Sequence, residues 1–287
     1  MIKFGPAGNS EDFYNKGYKR TIEAPAYLKS MGLDLFEYSF GQGVSLKEET
    51  ANAIKEQAEL NEIEISVHAP YYINFASEEE IKANNSFMYV TKSLEALKQL
   101  GGKRCVFHTG TIGKAEYTKA VDLAYSRLEK LAEIIIENGF DDCYICPETM
   151  GKRSQIGDVD DIIKFAKIAP FFVPAIDFGH INARNCGALD AKDDYRKILD
   201  KLLVNLDFYK VDEMHVHFSK IEYTQAGERR HLTFEDNVYG PRFEPLAELL
   251  VEYKLNPYIV CESAGTQSID AQKMKSIYKQ YMNDTLQ

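Results

Sequence analysis

The stretch from residue 63 to residue 108 contains two short apolar runs, Ile63-Glu64-Ile65-Ser66-Val67-His68 and Arg104-Cys105-Val106-Phe107-His108, with a longer amphipathic segment between them. Short runs rich in Val, Ile and Phe predict β-strands, and the amphipathic segment is long enough for a helix. A strand, a helix and a second strand of this size are typical of a βαβ unit, in which the two strands run parallel. The stretch therefore predicts an α/β fold.

The same unit recurs along the whole chain. Eight apolar runs follow one another at similar intervals, at residues 2–4, 33–38, 63–68, 104–108, 143–148, 172–177, 213–218 and 257–262. Amphipathic segments predict helices that begin near residues 46, 78, 115, 158, 193, 243 and 269, and one that covers roughly residues 18–31. Eight such pairs close most economically into a single (β/α)8 TIM barrel, with the active site at the C-terminal ends of the strands. An open doubly wound sheet is the alternative, but residues 5–8 lack its glycine-rich phosphate-binding pattern.

Signals for the ends of helices accompany this alternation. Two Ser-x-x-Glu capping boxes, at residues 45–48 and 77–80, predict that helices begin there. Gly101 and Gly139 stand where a left-handed residue follows a helix. The series is not interrupted by a linker rich in Pro, Gly or Ser, so residues 1–287 are expected to form one domain.

Composition and charge describe an acidic globular protein. The 287 residues include 44 Asp+Glu and 34 Lys+Arg, which gives a formal net charge of −10, and 45% of the residues are hydrophobic. This composition excludes a disordered or collagen-like chain, and no stretch approaches the roughly 20 apolar residues that span a bilayer. The N-terminus has no signal-peptide pattern and the five cysteines are an odd number, so we expect free thiols, a cytoplasmic protein and no membrane partner.

Histidines and acids gather where the predicted strands end. All six histidines lie at strand ends or in the loops that follow, and none lies on a predicted helix: His68, His108, His180, His215, His217 and His231. Three acids also end strands: Glu148, Asp177 and Glu262. Because strand ends meet at one mouth of a TIM barrel, these imidazoles and carboxylates predict a Zn²⁺ site, with Mn²⁺ as the alternative ion. Eight or more ligands exceed what one tetrahedral ion accepts, so we expect two or three ions.

Two local patterns refine this expectation. His215 and His217 are two residues apart in a predicted strand, so both imidazoles face the same side of the sheet. Residues 177–180, Asp-Phe-Gly-His, are predicted to form a tight turn. In such a turn the carboxylate of Asp177 and the imidazole of His180 can serve neighbouring ions.

Six motifs that contain these residues occur in the same order as the metal motifs of the endonuclease IV family. They are Val67-His68-Ala69-Pro70-Tyr71-Tyr72-Ile73-Asn74, Phe107-His108-Thr109-Gly110, Pro147-Glu148-Thr149, Ile176-Asp177-Phe178-Gly179-His180, Met214-His215 and Cys261-Glu262-Ser263. The chain therefore resembles this family, which comprises apurinic/apyrimidinic endonucleases of the xylose-isomerase-like TIM-barrel superfamily. The resemblance covers essentially the whole chain. It implies a trinuclear zinc site and cleavage of DNA 5′ to an abasic deoxyribose, a step of DNA repair.

The resemblance also implies ligands for each of the three ions. The first ion is assigned His68, His108 and Glu148. The second is assigned Glu148, Asp177, His215 and Glu262, and the third is assigned His180 and His231. The family motif for the third ion is Asp-x-His, whereas this chain reads Glu228-Arg229-Arg230-His231, so Glu228 and His217 are further candidate ligands.

The expected reaction gives two of these acids a catalytic role. Two ions bridged by Glu148 lower the pKa of a water molecule toward about 7, which supplies a hydroxide that attacks the phosphodiester. Glu262 is expected to position or deprotonate that water. Glu148 and Glu262 are therefore the predicted catalytic residues of a metal-dependent phosphodiesterase.

Substrate-binding residues are predicted just beyond the strand ends. Tyr71 and Tyr72 are expected to stack beside an extruded abasic nucleotide, with packing at the barrel rim as the alternative. Arg229 and Arg230 are expected to contact phosphates, with plain solvated charge as the alternative. Bound cations add positive charge to an acidic chain, so DNA binding is expected to depend on metal. The expected partner is DNA with abasic sites, and the expected oligomeric state is a monomer.

Two other functions fit parts of the pattern. A sugar or sugar-phosphate isomerase or epimerase on the same barrel would use one or two divalent ions to polarise a carbonyl and a carboxylate to move a proton. Such sites are dominated by carboxylates, so the six histidines favour the endonuclease. A non-catalytic metal- or nucleic-acid-binding protein is the second alternative, which the surplus of ligands disfavours.

Overall fold

The computed structural model describes residues 1–285, and ten strands lie within them. They are β1 (Lys3–Pro6), β2 (Leu35–Ser39), β3 (Glu64–His68), β4 (Arg104–Phe107), β5 (Tyr144–Pro147), β6 (Ala175–Asp177), β7 (His215–Phe218), β8 (Ile221–Thr224), β9 (Gly227–His231) and β10 (Tyr258–Cys261). All except β8 and β9 overlap one of the eight apolar runs. These eight strands are parallel, and hydrogen bonds order them as β2-β3-β4-β5 and as β6-β7-β10-β1.

Parallel bridges join the two four-stranded sheets into a ring. Ala7 pairs with Glu37 beside β1 and β2, and Glu148 pairs with Ala175 beside β5 and β6. The predicted TIM barrel is therefore confirmed, and the open doubly wound sheet is wrong because both of its edges would be unpaired. The parallel arrangement brings the C-terminal ends of all eight strands to the same mouth.

Helices surround the ring. Within residues 1–285 they are α1 (Glu11–Asn15), α2 (Ala24–Ser30), α3 (Glu48–Leu60), α4 (Glu80–Gln99), α5 (Tyr117–Glu137), α6 (Val159–Ala166), α7 (Phe178–Arg184), α8 (Lys192–Asn205), α9 (Phe208–Asp212), α10 (Glu244–Tyr253) and α11 (Gln267–Thr285). In this part of the chain, no helix is both long enough and apolar enough to cross a membrane.

The long helix α5 shows how the sequence pattern attaches this outer layer. It buries Ala124, Leu128, Leu131 and Ile135, whose spacing of three and four residues places them on one face. The burial of this stripe holds the helix against the barrel, because the hydrophobic effect stabilises apolar side chains removed from water.

The ends of the helices agree only in part with the prediction. Gly101 and Gly139 follow α4 and α5 with φ angles of +74° and +67°, which confirms the left-handed residue at both ends. The two capping boxes are wrong. Lys47 and Glu79 occupy the N-cap positions of α3 and α4, two residues after the predicted serines, and neither caps its helix with its side chain. The Ser77 hydroxyl instead accepts the backbone N–H of Glu79, a local turn that competes with capping.

An antiparallel hairpin of β8 and β9 stands between β7 and α10, and the sequence did not predict it. Its second strand, Gly-Glu-Arg-Arg-His, has no apolar alternation that would mark it as a strand. A bridge between Lys152 and Gly227 connects the hairpin to the loop after β5. The hairpin therefore lies at the mouth of the barrel.

Candidate metal centre

Most of the predicted site residues come together at the mouth of the barrel. His68 is the last residue of β3 and Asp177 the last of β6, while His108, Glu148 and Glu262 directly follow β4, β5 and β10. These positions converge because the parallel strands end on the same side of the ring. The mouth opens into a cleft of about 400 Å³. Its walls include His68, His108, His180, Glu228, His231 and Glu262.

Glu148 is the centre of the first group of ligand atoms. Its Oε2 lies 3.1 Å from Nε2 of His68 and 3.1 Å from Nε2 of His108. Its Oε1 lies 2.8 Å from Nδ1 of His217. The Glu148 side chain is almost completely buried. A buried carboxylate that faces three imidazoles can share the same cations with them.

The second group contains three carboxylates and one imidazole. Ligand atoms of Glu148, Asp177, His217 and Glu262 all lie within 4.8 Å of one another. Asp177 Oδ2 is buried and has no hydrogen-bond partner among residues 1–285. Burial raises the pKa of Asp177 to about 6, and the negative charges of Glu262 and Glu148 add to this effect. Such mutual repulsion and an unpartnered oxygen fit a divalent cation, which would supply the missing partner.

Local structure explains how Asp177 and His180 serve adjacent groups. Asp177 is the N-cap of α7, and its Oδ1 accepts the backbone N–H of His180 at 2.8 Å, which leaves Oδ2 for the mouth. The Nδ1 of His180 lies 2.9 Å from the carbonyl oxygen of Thr149, and its Nε2 faces Glu228. The predicted tight turn is wrong, as is the expectation that no histidine lies on a helix, because an N-cap directly at the end of β6 begins a helix there.

The hairpin supplies two members of the third group, in which ligand atoms of Glu228, His231 and the α7 residue His180 lie within 4.8 Å of one another. Residues three apart on a regular strand face opposite sides. In this hairpin Arg230 pairs with Glu222 and Glu228 pairs with Tyr223, so Arg229 is an extra residue in a β-bulge. The bulge turns Glu228 to the same side as His231. The chain thereby accommodates its longer spacing between the acid and the histidine.

His215 lies below this level. Its side chain is completely buried, and its Nε2 is 3.0 Å from Oε2 of Glu37. The pairing of β6 with β7 puts His217 beside Asp177, whereas His215 is beside Ala175. The structure therefore brings His217 into the group for which the sequence nominated His215. Both imidazoles face the barrel interior, as their spacing predicts, but spacing alone does not give their depth.

Glu37, on β2, is a residue that the sequence analysis missed. Its side chain is completely buried and contacts both His215 and His217. One signal for it exists in the sequence, because Glu37 is an acid inside the apolar run of residues 33–38. An acid at the centre of a buried strand needs a partner in the barrel.

Protonated imidazoles and ionised carboxylates compensate one another's charge at the mouth. Burial opposes ionisation of Glu148, but the surrounding imidazoles, led by His217, lower its pKa well below its usual value. Burial likewise opposes protonation of His68, but Glu148 raises its pKa to about 9. For His217, the carboxylates of Glu262, Glu37 and Glu148 outweigh burial and raise its pKa well above its usual value. Cations that bind here must displace these protons.

The predicted substrate residues have different surroundings. Tyr71 lines the cleft, and its ring centroid lies 4.4 Å from that of Tyr72, with both side chains about half exposed. Arg229 and Arg230 point away from the ligand groups and pair with Glu222 on the other face of the hairpin. The structure thus places Tyr71 at the cleft, Tyr72 beside it, and the two arginines outside the cleft.

Comparison with known proteins identifies the family. Residues 25–280 match the family described as xylose isomerase-like TIM barrel. The chain belongs to this family. An uncharacterised relative from Methanocaldococcus jannaschii is 32% identical over 269 residues, which are 92% of each chain. A relative named probable endonuclease 4, from Mycoplasma pneumoniae, is 32% identical over 115 residues, which are 40% of this chain and 38% of that one.

Solved structures with low sequence identity to this chain share its fold. A D-tagatose 3-epimerase-like protein superposes with a TM-score of 0.73 at 18% identity, over 100% of both chains. Endonuclease IV from Thermus thermophilus superposes with a TM-score of 0.67 at 14% identity, over 98% of this chain and 99% of that one. The resemblance to endonuclease IV is confirmed and this family member is an enzyme of the xylose isomerase-like superfamily. The fold alone does not choose between nuclease and epimerase chemistry.

Proposed function

We propose that this protein is a metal-dependent phosphodiesterase that cleaves DNA 5′ to abasic sites. The observation that carries the proposal is the third group of ligands, His180, Glu228 and His231, beside the two groups that share Glu148. A phosphodiester bears a negative charge that increases on the leaving oxygen, so several adjacent cations suit its cleavage. Polarisation of a sugar carbonyl needs fewer cations. The endonuclease-named relative in sequence supports the same conclusion.

The proposed ions are Zn²⁺, and each has its own set of ligands, with Glu148 shared by the first two. The first would be held by His68, His108 and Glu148. The second would be held by Glu148, Asp177, His217 and Glu262, and the third by His180, Glu228 and His231. Imidazole nitrogens mixed with carboxylate oxygens are the donors that zinc prefers. His217 takes the role that the sequence nominated for His215, because His217 is at the level of Asp177.

When bound, such ions would act as Lewis acids on the phosphate and on the attacking water. The chain itself supplies the base. Burial opposes ionisation of Glu262, but His217 and His231 lower its pKa, so the carboxylate is ionised and can accept a proton. It also lines the cleft, where a substrate can reach it. The Ser219 hydroxyl lies 2.8 Å from Nδ1 of His231 and fixes that ring.

The exposed tyrosines give the cleft a surface for an extruded nucleotide. Tyr71 stands on the cleft wall and its ring leans on Tyr72. Aromatic faces of this kind stack on bases and sugars, and an abasic nucleotide costs less to extrude than a paired one. We assign Tyr71 to the abasic nucleotide and Tyr72 to the support of its ring.

One observation favours a second candidate function. Glu148, Asp177, His217 and Glu262 by themselves form a carboxylate-rich group for one divalent ion. Such a site is sufficient for an epimerase, which moves a proton next to a carbonyl that the ion polarises. The D-tagatose 3-epimerase-like structure shares this fold. The epimerase would have no use for the hairpin ligands.

The decisive experiment offers zinc-loaded protein a labelled duplex with one abasic site. We expect a nick on the 5′ side of that site, no nick in the undamaged duplex and no nick after chelation. His180→Asn should reduce the rate by about 100-fold, because it removes a ligand of the third group. Gln225→Ala, at the exposed tip of the hairpin that carries Glu228 and His231, is the control and should keep the rate.

The result separates the two candidates. If zinc-loaded protein leaves the abasic duplex intact but interconverts ketohexose epimers, the epimerase is correct. If His180→Asn nicks as fast as the Gln225→Ala control, the third group has no part in the reaction.

A further inference from the structure

A buried polar cluster lies directly beneath the candidate metal centre. We call Glu37, Ser66, His215 and His217 the inner cluster; they come from β2, β3 and β7, and all four side chains are completely buried. Oε1 of Glu37 lies 3.0 Å from Nε2 of His217, and Oε2 lies 3.0 Å from Nε2 of His215. The Ser66 hydroxyl donates to Oε2 at 3.1 Å.

Glu37 is ionised in this cluster. A carboxylate without water is costly unless cationic or N–H groups surround it. The Ser66 hydroxyl at 3.1 Å and the Nε2 atoms of His215 and His217, each at 3.0 Å, surround its two oxygens. The cluster therefore contains a fixed negative charge below the mouth.

His217 connects the inner cluster to the mouth through its two ring nitrogens. Its Nε2 faces Glu37, and its Nδ1 faces Glu148 at 2.8 Å and Glu262 at 3.6 Å. A neutral imidazole carries one N–H, and the group next to one nitrogen decides which nitrogen keeps the proton. A carboxylate behind the ring also makes the opposite nitrogen a stronger ligand.

We propose that Glu37 is a positioning residue that holds the proton of His217 on Nε2, and thereby presents the Nδ1 lone pair to a cation at Glu148, Asp177 and Glu262. This inference rests on the metal centre proposed above. Ser66 and His215 orient Glu37 by contacting its second oxygen.

The inner cluster has one competing use. Ligand atoms of Glu37, His215 and His217 lie within 4.8 Å of one another, and the imidazole N–H directions are not aligned with the Glu37 oxygens as hydrogen bonds require. A cation among these three residues would bind Nε2 of His217. In the positioning role, Nε2 carries a proton and the cation binds Nδ1. The two uses therefore differ at one identifiable atom.

The first test determines which ring nitrogen of His217 carries the proton and which binds zinc. Zinc-loaded protein labelled with ¹⁵N-histidine is compared by NMR with its metal-free form, and the His217 signals are assigned from their loss in His217→Asn. We expect a proton on Nε2 and the zinc-induced shift on Nδ1. A proton on Nδ1, or a zinc-induced shift on Nε2, overturns the proposal. This measurement uses the wild-type chain, so the folding of a Glu37 variant does not affect it.

The second test measures zinc affinity by competition with a chelator. Glu37→Gln keeps the size of the side chain but removes its charge, and it should weaken the affinity of the second site by about 10- to 100-fold. Val173→Ala removes apolar packing from the small buried group formed with Val106 and Cys146, and it should keep the affinity while losing stability. An affinity of Glu37→Gln within twofold of wild type overturns the proposal.

Both tests use zinc without DNA, so their outcome is independent of nicking. A protein that binds zinc through Nδ1 of His217 but does not cleave abasic DNA disproves only the endonuclease. A protein that cleaves abasic DNA with zinc on Nε2 disproves only the role of Glu37.

Discussion

Buried charge is compensated in different ways at the two ends of the barrel. We call the end opposite to the mouth, where Arg104, Tyr144 and Tyr258 begin their strands, the closed end. There the buried Arg104 guanidinium donates to the carboxylate and the carbonyl oxygen of Glu213. The same guanidinium lies 3.9 Å from the ring centroid of Tyr258 and 4.9 Å from that of Tyr144. At the mouth, carboxylates and imidazoles crowd together, and Oδ2 of Asp177 has no hydrogen-bond partner among the described residues.

The difference shows which end is arranged for chemistry. Charge at the closed end is compensated by the chain itself, so its contribution is to stability. Charge at the mouth is compensated by protons on His68 and His217, which cations can replace. Substitutions at the two ends should therefore change different properties.

The largest effect is expected from Glu148→Gln at the mouth. Glu148 contacts the ligands of two groups, so the variant should lose two zinc ions and at least about 1000-fold in nicking rate. Zinc per chain by elemental analysis and a nicking assay measure the two effects. A Glu148→Gln protein that keeps the wild-type zinc content contradicts the role of Glu148 as the shared ligand.

The second effect is the dependence of zinc affinity on pH. His68 has a pKa of about 9 in the metal-free protein, above its usual value of 6.5, so its imidazole is protonated at pH 7. Zinc needs the neutral ring, so affinity should rise by about tenfold per pH unit from pH 6.5 to 9 for one linked proton. Calorimetry at pH 7 in buffers of different ionisation enthalpy should show at least one proton released. A zinc affinity that is independent of pH contradicts the claim that zinc displaces a proton from His68.

The same shift makes the opposite prediction for the metal-free protein. Because the pKa of His68 is higher in the folded state, its stabilisation is complete below pH 6.5 and is lost as the pH rises through 9. The thermal unfolding midpoint of metal-free protein should therefore fall over this window, while the increment that zinc adds should grow. If the rise in unfolding midpoint caused by zinc becomes smaller over the same pH window, protons and zinc do not compensate the same carboxylates.

The third effect is at the closed end. Arg104→Met removes the guanidinium from Tyr258 and from Glu213, and it should cost about 2 kcal/mol of unfolding free energy, mainly through the lost cation–π contact. Zinc content should stay unchanged, because Arg104 contacts none of the three ligand groups. Urea unfolding and elemental analysis test both statements. If Arg104→Met loses zinc without losing stability, the claim that the closed end contributes to stability and the mouth to metal binding is wrong.

The smallest effect concerns the hairpin. Deletion of Arg229 removes the extra residue of the bulge and leaves Glu228 two residues before the histidine, so a regular strand would place both on the same face. We expect affinity for the third ion within about threefold of wild type. His231→Asn, with the hairpin otherwise unchanged, should lose that ion. If the deletion variant also loses the third ion, the bulge does more than turn Glu228 to the same side of the strand as His231.

The sequence predicted which residues end the strands better than it predicted how deep each side chain lies in the barrel. His68, His108 and Glu148 could be nominated because apolar runs locate strands, and because parallel strands end at one mouth. The choice between His215 and His217 depends on how β7 is staggered against β6, which no pattern within β7 records. Glu37 was missed for the same reason, since its partners lie on other strands and only pairing brings them together.

The hairpin shows a second limit of prediction from the sequence. Its strands are short and polar, so apolar periodicity does not detect them. A spacing of three between Glu228 and His231 places the two on opposite faces unless a bulge is present, and the bulge depends on pairing with β8. The helix at His180 was missed because α7 begins directly at the end of β6, without an intervening loop.

Diffraction from zinc-loaded crystals on both sides of the zinc absorption edge tests the central claim most directly. We predict three anomalous peaks at the mouth: one at His68, His108 and Glu148, one on Nδ1 of His217, and one at His180, Glu228 and His231. A single peak at Glu148, Asp177, His217 and Glu262, with the hairpin residues free of metal, would contradict the claim that this mouth is arranged for the cleavage of a phosphodiester.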